Sequence, residues 1–329
     1  MKSPSLVIYF LRMGYLFGCI AALFWGLKPP AITKIKADSL TTQLGTGIAV
    51  LIVSIIAFFI TFNQSVNGLA SEGGSSIILF STLSGVSWAL GQFFQFFCYL
   101  SLTTSIGFCI STAFTLVSNA VFSIVLFHDW STPMQLGLGI SAIFVIILGA
   151  CMTVYKPKEK GENTKKNKKN LIIGVTCALI AGILFALYST LPRYATSSSA
   201  PTSVLLPHGI GTFLGSIFVV ILYRIYVKYH NEKNENKIKL DRVFNSKLAP
   251  SLIPGLLSSI SNILLIYANA DIGSAIGFSL TQMSVVVSSL VSLFFLEEYK
   301  INTKMQNILI IVGSLIILAG GIMIGFTKM

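Results

Sequence analysis

Ten apolar segments, at residues 13–28, 43–62, 76–100, 104–127, 133–155, 171–191, 203–224, 248–269, 273–296 and 305–327, have interiors free of Asp, Glu, Lys and Arg. Each is close to the ~20 residues an α-helix needs to cross a hydrocarbon core. In a bilayer the backbone must satisfy its own polar groups, so segments of this length span as helices. One boundary follows from arithmetic. Residues 73–127 hold no charged side chain, yet as a single helix they would reach about 80 Å against a core of ~30 Å. The polar break Ser101–Leu102–Thr103–Thr104–Ser105 is the turn between two spans. The expected fold class is all-α: a polytopic membrane protein of ten transmembrane helices, the first closed by Lys28–Pro29–Pro30.

An even number of spans leaves both termini on one side and sorts the loops by parity. The loops after the first, fifth, seventh and ninth spans, with their margins, hold 19 of the 23 Lys and Arg residues. Only Lys2, Arg12, Arg193 and Lys328 fall on the other face. Short cytoplasmic loops carry the basic excess, so the rich face is expected inside and both termini outside. This partition accounts for the net charge of +12 without any nucleic acid. The basic loops 156–170 and 228–247 are placed to meet anionic lipid headgroups.

At 54% hydrophobic and 10% charged residues, the chain is excluded from ordinary soluble domains. Cys19, Cys98, Cys109, Cys151 and Cys177 all lie in apolar spans, without CxxC or metal-ligand spacing. They read as packed thiols, and neither metal nor cofactor is expected. The first span ends in Lys28–Pro29–Pro30 rather than a small-residue cleavage site, so it reads as a retained helix and not a signal peptide.

The chain contains itself twice. At an offset of 170 residues, Ile106–Gly107–Phe108 matches Ile276–Gly277–Phe278, Gly85 matches Gly255, and Gln92 stands opposite Asn262. At 171, Met134–Gln135 matches Met305–Gln306 and Gly149 matches Gly320. Earlier, Ile20–Ala21 recurs as Ile180–Ala181 with Trp25 opposite Phe185, and Gly45–Thr46–Gly47 recurs as Gly209–Ile210–Gly211. The connectors His128–Asp129–Trp130 and Glu297–Glu298–Tyr299 share an acidic–aromatic ending. The unit is five spans, residues 1–155 and 171–329, joined by the basic linker 156–170. An odd number of spans makes the second copy enter from the opposite face, which gives two inverted five-helix repeats, a recurrent plan of secondary transporters.

No span interior contains a carboxylate, so paired-acid catalysis and carboxylate proton relays lack their reagent at membrane depth. Uncharged hydrogen-bonding side chains stand out instead. Trp88, Gln92 and Gln95 share one helical face; Ser111 and Asn119 lie in the fourth span, Asn262 in the eighth and Gln282 in the ninth. Amides donate and accept, as sugar hydroxyls require, and an indole face can lie against a pyranose. The competing assignment is interhelical glue. His208, beside Pro207 and Gly209, is the histidine inside an apolar stretch and a group able to change charge near neutral pH.

These residues bear a family likeness. Leu23–Phe24–Trp25–Gly26 before Lys28–Pro29, Gln43–Leu44–Gly45–Thr46, Trp88–Ala89–Leu90–Gly91–Gln92 with Gln95, Ile110–Ser111–Thr112, Phe127–His128–Asp129–Trp130, Leu205–Leu206–Pro207–His208–Gly209–Ile210–Gly211 and Phe278–Ser279–Leu280–Thr281–Gln282–Met283 follow in order. In this the chain resembles the glucose/ribose porter family of sugar-uptake permeases, within the drug/metabolite transporter superfamily. The resemblance implies a cell-membrane carrier for a glucose-like monosaccharide, coupled to protons and working by alternating access. Trp25, Gln43, Trp88, Gln92, Gln95, Ser111, Asn119, His208, Asn262 and Gln282 are the expected substrate-binding residues. His208, Lys28 and Asp129 are the candidates for proton coupling. Three departures bear on sugar identity: His208 stands where the family has Gln, Ala113 and Thr115 where it has Gly and Gln, and Ser258 where it has Trp. A drug or metabolite exporter on the same fold is the alternative. A membrane-embedded enzyme would need acid/base groups together, whereas Glu72, Asp129 and Asp271 are scattered. No catalytic residue and no obligatory protein partner is expected.

Overall fold

The computed structural model describes residues 4–70, 73–128, 130–155, 164–194, 201–233, 237–238, 242–272, 277 and 280–327. Within them the regular elements are helices: α1 (Pro4–Ile35), α2 (Ser39–Ile60), α3 (Phe62–Leu69), α4 (Gly74–Ser101), α5 (Thr104–Phe127), α6 (Pro133–Val154), α7 (Thr164–Thr190), α8 (Leu205–Lys233), α9 (Leu252–Ile272), α10 (Met283–Phe295) and α11 (Lys304–Phe326), with short 3-10 turns between some of them. Eight of these are long and apolar enough to cross a membrane. The shorter apolar helices Leu252–Ala268 and Met283–Phe295 stand where the eighth and ninth spans are expected. The chain is a multi-pass membrane protein. Its outer surface agrees: Phe59, Ile60, Leu100, Phe144 and Phe295 are exposed, while Gln43, Thr46, Gln92, Ser111, Thr212 and Ser216 are fully buried.

Several boundaries differ from the apolar segments. α1 runs through Pro29 and Pro30 to Ile35, so Lys28 does not close the first span but lies inside it. Proline removes the donor to the carbonyl four residues earlier, which frees the Trp25 and Gly26 carbonyls in the turn that carries Lys28. α7 and α8 extend into Lys- and Asn-rich sequence at Thr164–Asn170 and Arg224–Lys233. Lys and Arg are good helix formers in water, so hydropathy locates the bilayer crossing but not the helix end. α3 is a short helix that hydropathy does not announce. Pro207 sits in the first turn of α8, where a missing N–H costs nothing; it opens that helix and does not break it. The ninth span is interrupted by a turn at Gln282, directly before α10.

Corresponding joints of the two halves are built alike. Thr132 accepts from Gln135 N in a capping box at the start of α6, and Thr303, 171 residues on, accepts from Gln306 N at the start of α11. His128 after α5 and Glu297 after α10 both take the left-handed conformation, at φ 51° and 57°. Packing repeats too. α1 lies on α9 and α10, and α2 on α9; correspondingly α7 lies on α4 and α5, and α8 on α4. The result is two bundles, α1–α2–α9–α10 and α7–α8–α4–α5, joined by α2 against α8, α5 against α10, and α6 against α11. Exchanging the two halves maps each contact within one bundle onto its counterpart in the other, and each of the three joints between bundles onto itself.

Glycine lets α6 and α11 pack closely. A Cβ on Gly149 would stand 2.7 Å from the Gly313 carbonyl oxygen and 2.9 Å from Ile317; a Cβ on Gly320 would stand 2.5 Å from Ile146. Gly149 and Gly320, like Ile146 and Ile317, are 171 apart, so α6 and α11 cross on matching residues. Small residues let membrane helices approach this closely.

Candidate functional site

Between the two bundles lies a cavity of about 170 Å³. One wall carries Trp25 and Lys28 from α1, Ser258 and Leu265 from α9, and Thr281, Gln282 and Ser284 at the start of α10. The opposite wall carries Trp88 and Gln95 from α4, residues of α5 from Phe108 to Asn119, and Phe185, Tyr188 and Ser189 from α7. Positions that the 160- and 170-residue offsets pair in the sequence both line it: Trp25 with Phe185, Lys28 with Tyr188, Trp88 with Ser258, Gln95 with Leu265, and Thr112 with Gln282. The side chains at these paired positions differ in chemistry. One wall brings an ammonium where the other brings a phenol, and an indole faces a hydroxyl.

The polar groups are held in place. The Lys28 ammonium rests over the Trp88 ring, 4.3 Å from its centroid. Gln95 donates to Ser111 Oγ at 3.0 Å, and Ser111 in turn donates to the Phe108 carbonyl. Tyr188 donates to Asn262 Oδ1 at 3.1 Å, and Ser189 to Asn119 Oδ1 at 2.6 Å. Gln282 Nε2 donates to Thr281 Oγ1 at 3.2 Å. No carboxylate lines the cavity among the described residues. Such a lining offers hydrogen bonds and aromatic faces to a neutral polyhydroxylated ligand.

One end is shut. Thr33 and Thr104 hydrogen-bond through their hydroxyls at 2.7 Å. Glu298, in the connector after α10, is buried and accepts from Thr104 N at 2.7 Å, Ser105 N at 3.1 Å and the Ser105 hydroxyl. Its neighbour Glu297 is solvent-exposed. A hydrogen bond from Lys300, reinforced by that ammonium's charge, holds the Glu297 carboxyl below its usual range. The loops after the first and seventh spans meet on this same face, where Thr41 reaches the Val243 carbonyl and Lys247 the Lys36 carbonyl. At the other end Ser189 is exposed and Asn119 half-buried, so the cavity opens towards the ends of α5 and α7.

Of the residues expected to bind substrate, Trp25, Trp88, Gln95, Asn119 and Gln282 line this cavity. Ser111 and Asn262 stand one hydrogen bond behind it, holding Gln95 and Tyr188. Gln43 does not reach it: its amide donates to the Ala89 carbonyl at 2.9 Å and to Ser216 Oγ at 3.1 Å, tying α2 to α4 and α8. His208 lies behind Tyr188, with ring centroids 5.2 Å apart and Ser84 and Thr212 beside its two nitrogens. Gln92 is fully buried outside the lining. Of the coupling candidates, Lys28 lines the cavity and Asp129 lies outside the described residues. Tyr188 and Ser189 escaped notice in the sequence, although the 160-residue offset that pairs Trp25 with Phe185 also pairs Lys28 with Tyr188.

Comparison with known proteins places these observations in a family. A family profile described as sugar transport protein matches residues 16–327. The glucose uptake protein GlcU of Bacillus subtilis is 31% identical over 316 residues, covering 96% of this chain and 99% of that one. A Listeria monocytogenes protein whose name ascribes sugar uptake to it is also 31% identical, over 96% of this chain and all of its own. A solved structure, 15% identical, superposes with a TM-score of 0.55 over 94% of this chain and 95% of its own, and so shares the fold.

Proposed function

The chain belongs to the sugar transport protein family, and on that premise we propose that it carries a glucose-like monosaccharide into the cell by alternating access. In this reading residues 1–155 and 171–329 are inverted repeats joined by the linker 156–170. Their helices form the two bundles, which rock about the cavity between them. The observation that carries the proposal is that cavity: amides, hydroxyls and two indoles supplied by both bundles, with no carboxylate in its described lining. GlcU of Bacillus subtilis, named for glucose uptake, supports glucose as the first sugar to test.

Entry of radiolabelled glucose or ribose into reconstituted vesicles provides the test. Saturable glucose uptake that unlabelled glucose competes away is the expected result; absence of saturable uptake for every monosaccharide tried would end the proposal. Accumulation above the bath concentration under a pH gradient, abolished by a protonophore, is expected of a proton-coupled carrier. Lys28 is the coupling residue favoured by position, because its ammonium lines the cavity whereas His208 sits behind Tyr188. Lys28→Gln should lose gradient-driven accumulation, with downhill sugar exchange lowered but not abolished.

The basic face is assigned to the cytoplasm, with both termini outside. The loops that meet around Glu298 and Lys247 are those of the basic face, so the cavity opens outward in this conformation. Reporter fusions after Met329 and within 160–169 are expected to report opposite sides. A cytoplasmic C-terminus would overturn the orientation while leaving the cavity intact.

A further inference from the structure

The two repeats differ at one pair of corresponding contacts. Tyr188 on α7 corresponds to Lys28 on α1 at the 160-residue offset, and Asn262 on α9 corresponds to Gln92 on α4 at 170. In one repeat-related pair the contact is made, Tyr188 donating to Asn262 at 3.1 Å. In the other it is open. The Gln92 side chain is fully buried, and neither of its amide atoms has a partner among the described residues. Lys28 is nine-tenths buried, and its ammonium rests on the face of Trp88, one helical turn before Gln92 on α4. An amide left unbonded at membrane depth is costly. Its mate on the other repeat shows what such an amide is for.

We propose that Lys28–Gln92 and Tyr188–Asn262 are alternating latches that hold the two access states, with Gln92 a positioning residue for transport. This rests on the inverted-repeat reading given above. If the repeats are inverted copies, the opposite-facing state is reached when each adopts the conformation the other now has. Lys28 then leaves the Trp88 ring for Gln92 Oε1, a step of one turn along α4. Tyr188 leaves Asn262 for the residue corresponding to Trp88, which is Ser258, a cavity-lining hydroxyl. One-turn steps of one element past another are an established kind of two-state switch. Both destinations have suitable chemistry: an amide oxygen for an ammonium, and a hydroxyl for a phenol.

Two substitutions in the full-length carrier test this. Gln92→Leu removes only the amide that this conformation leaves unbonded, and replacing an unsatisfied polar group by an apolar one of similar shape does not cost the state that buried it. Its melting temperature in detergent is expected to rise while sugar uptake falls at least tenfold. Asn262→Leu breaks the latch that is closed here. It is expected to lower, at least threefold, the reactivity of a thiol introduced by Ser189→Cys towards a membrane-impermeant reagent, whereas Gln92→Leu keeps or raises that reactivity. Parental uptake by Gln92→Leu, a lowered melting temperature in that variant, or a fall in thiol reactivity in both variants would overturn the proposal. The melting and thiol measurements need no sugar, so they judge the latches even if the parent carries none of the sugars tried.

Discussion

Glu298→Ala is expected to lower the stability of the folded carrier by about 3 kcal/mol, since a hydrogen bond to a charged group is worth ~1.5–3 kcal/mol. The carboxylate accepts from two backbone N–H groups at the first turn of α5 and from the Ser105 hydroxyl. It also sits at the positive end of that helix dipole. Removing it leaves the two amides facing a hole in a buried joint, because Thr104 and Ser105 are themselves buried. The same change unfastens α5 from the connector between α10 and α11, loosening the shut end of the cavity. Glu298→Gln keeps one acceptor oxygen but turns an NH₂ towards donors, so an intermediate loss is expected. Thermal melting in detergent, with sugar leak from loaded vesicles as a second measurement, would read both effects. An unchanged melting temperature for Glu298→Ala would show that this carboxylate does not hold the joint.

Much of the architecture is legible in the sequence because the bilayer is an exacting solvent. An interior without charge over some twenty residues leaves the backbone little choice but a helix, so segments such as 133–155 and 305–327 lie within two residues of α6 and α11. The repeat offsets carry further than hydropathy. They pair Gly149 with Gly320 and Thr132 with Thr303, positions where the two halves use the same crossing and the same cap. Lys28 was harder to place. A lysine followed by two prolines reads as the end of a span, because neither charge nor proline belongs in an apolar helix on average. The helix tolerates all three where the freed carbonyls and the ammonium border a cavity.

The site was legible in its polarity but not in its directions. Gln43, Gln92 and Gln95 are equivalent as sequence signals. Packing gives each a different surrounding: α2 meets both α4 and α8, so Gln43 is consumed between them, while Gln95 turns to the cavity. Tyr188 is invisible for the opposite reason. A tyrosine in an apolar run resembles core, and only its correspondence with Lys28 marks it. The exposed end of α7 and the buried joint at Glu298 both arise from contacts between halves, which no local pattern encodes.

Trp88→Ala is expected to cut initial-rate sugar uptake at limiting concentration by roughly 30- to 100-fold. The Trp88 indole is buried, lines the cavity and carries the Lys28 ammonium on its face. A desolvated cation–π contact is worth ~2 kcal/mol or more, and loss of the flat apolar surface on which a pyranose can lie adds to it. At about 1.4 kcal/mol per tenfold change, the two together reach the stated range. Trp88→Phe keeps an aromatic face and should retain more activity than Trp88→Ala. Ser258, at the corresponding position of the other repeat, offers a single hydroxyl that already donates to the Pro254 carbonyl at 2.8 Å; Ser258→Ala should change uptake by no more than a few-fold. The contrast tests whether the chemical inequality of the two walls is functional. Were the sugar held equally by both, the two alanine substitutions would cost alike, and Trp88→Ala uptake within twofold of the parent would remove the indole from the binding site altogether.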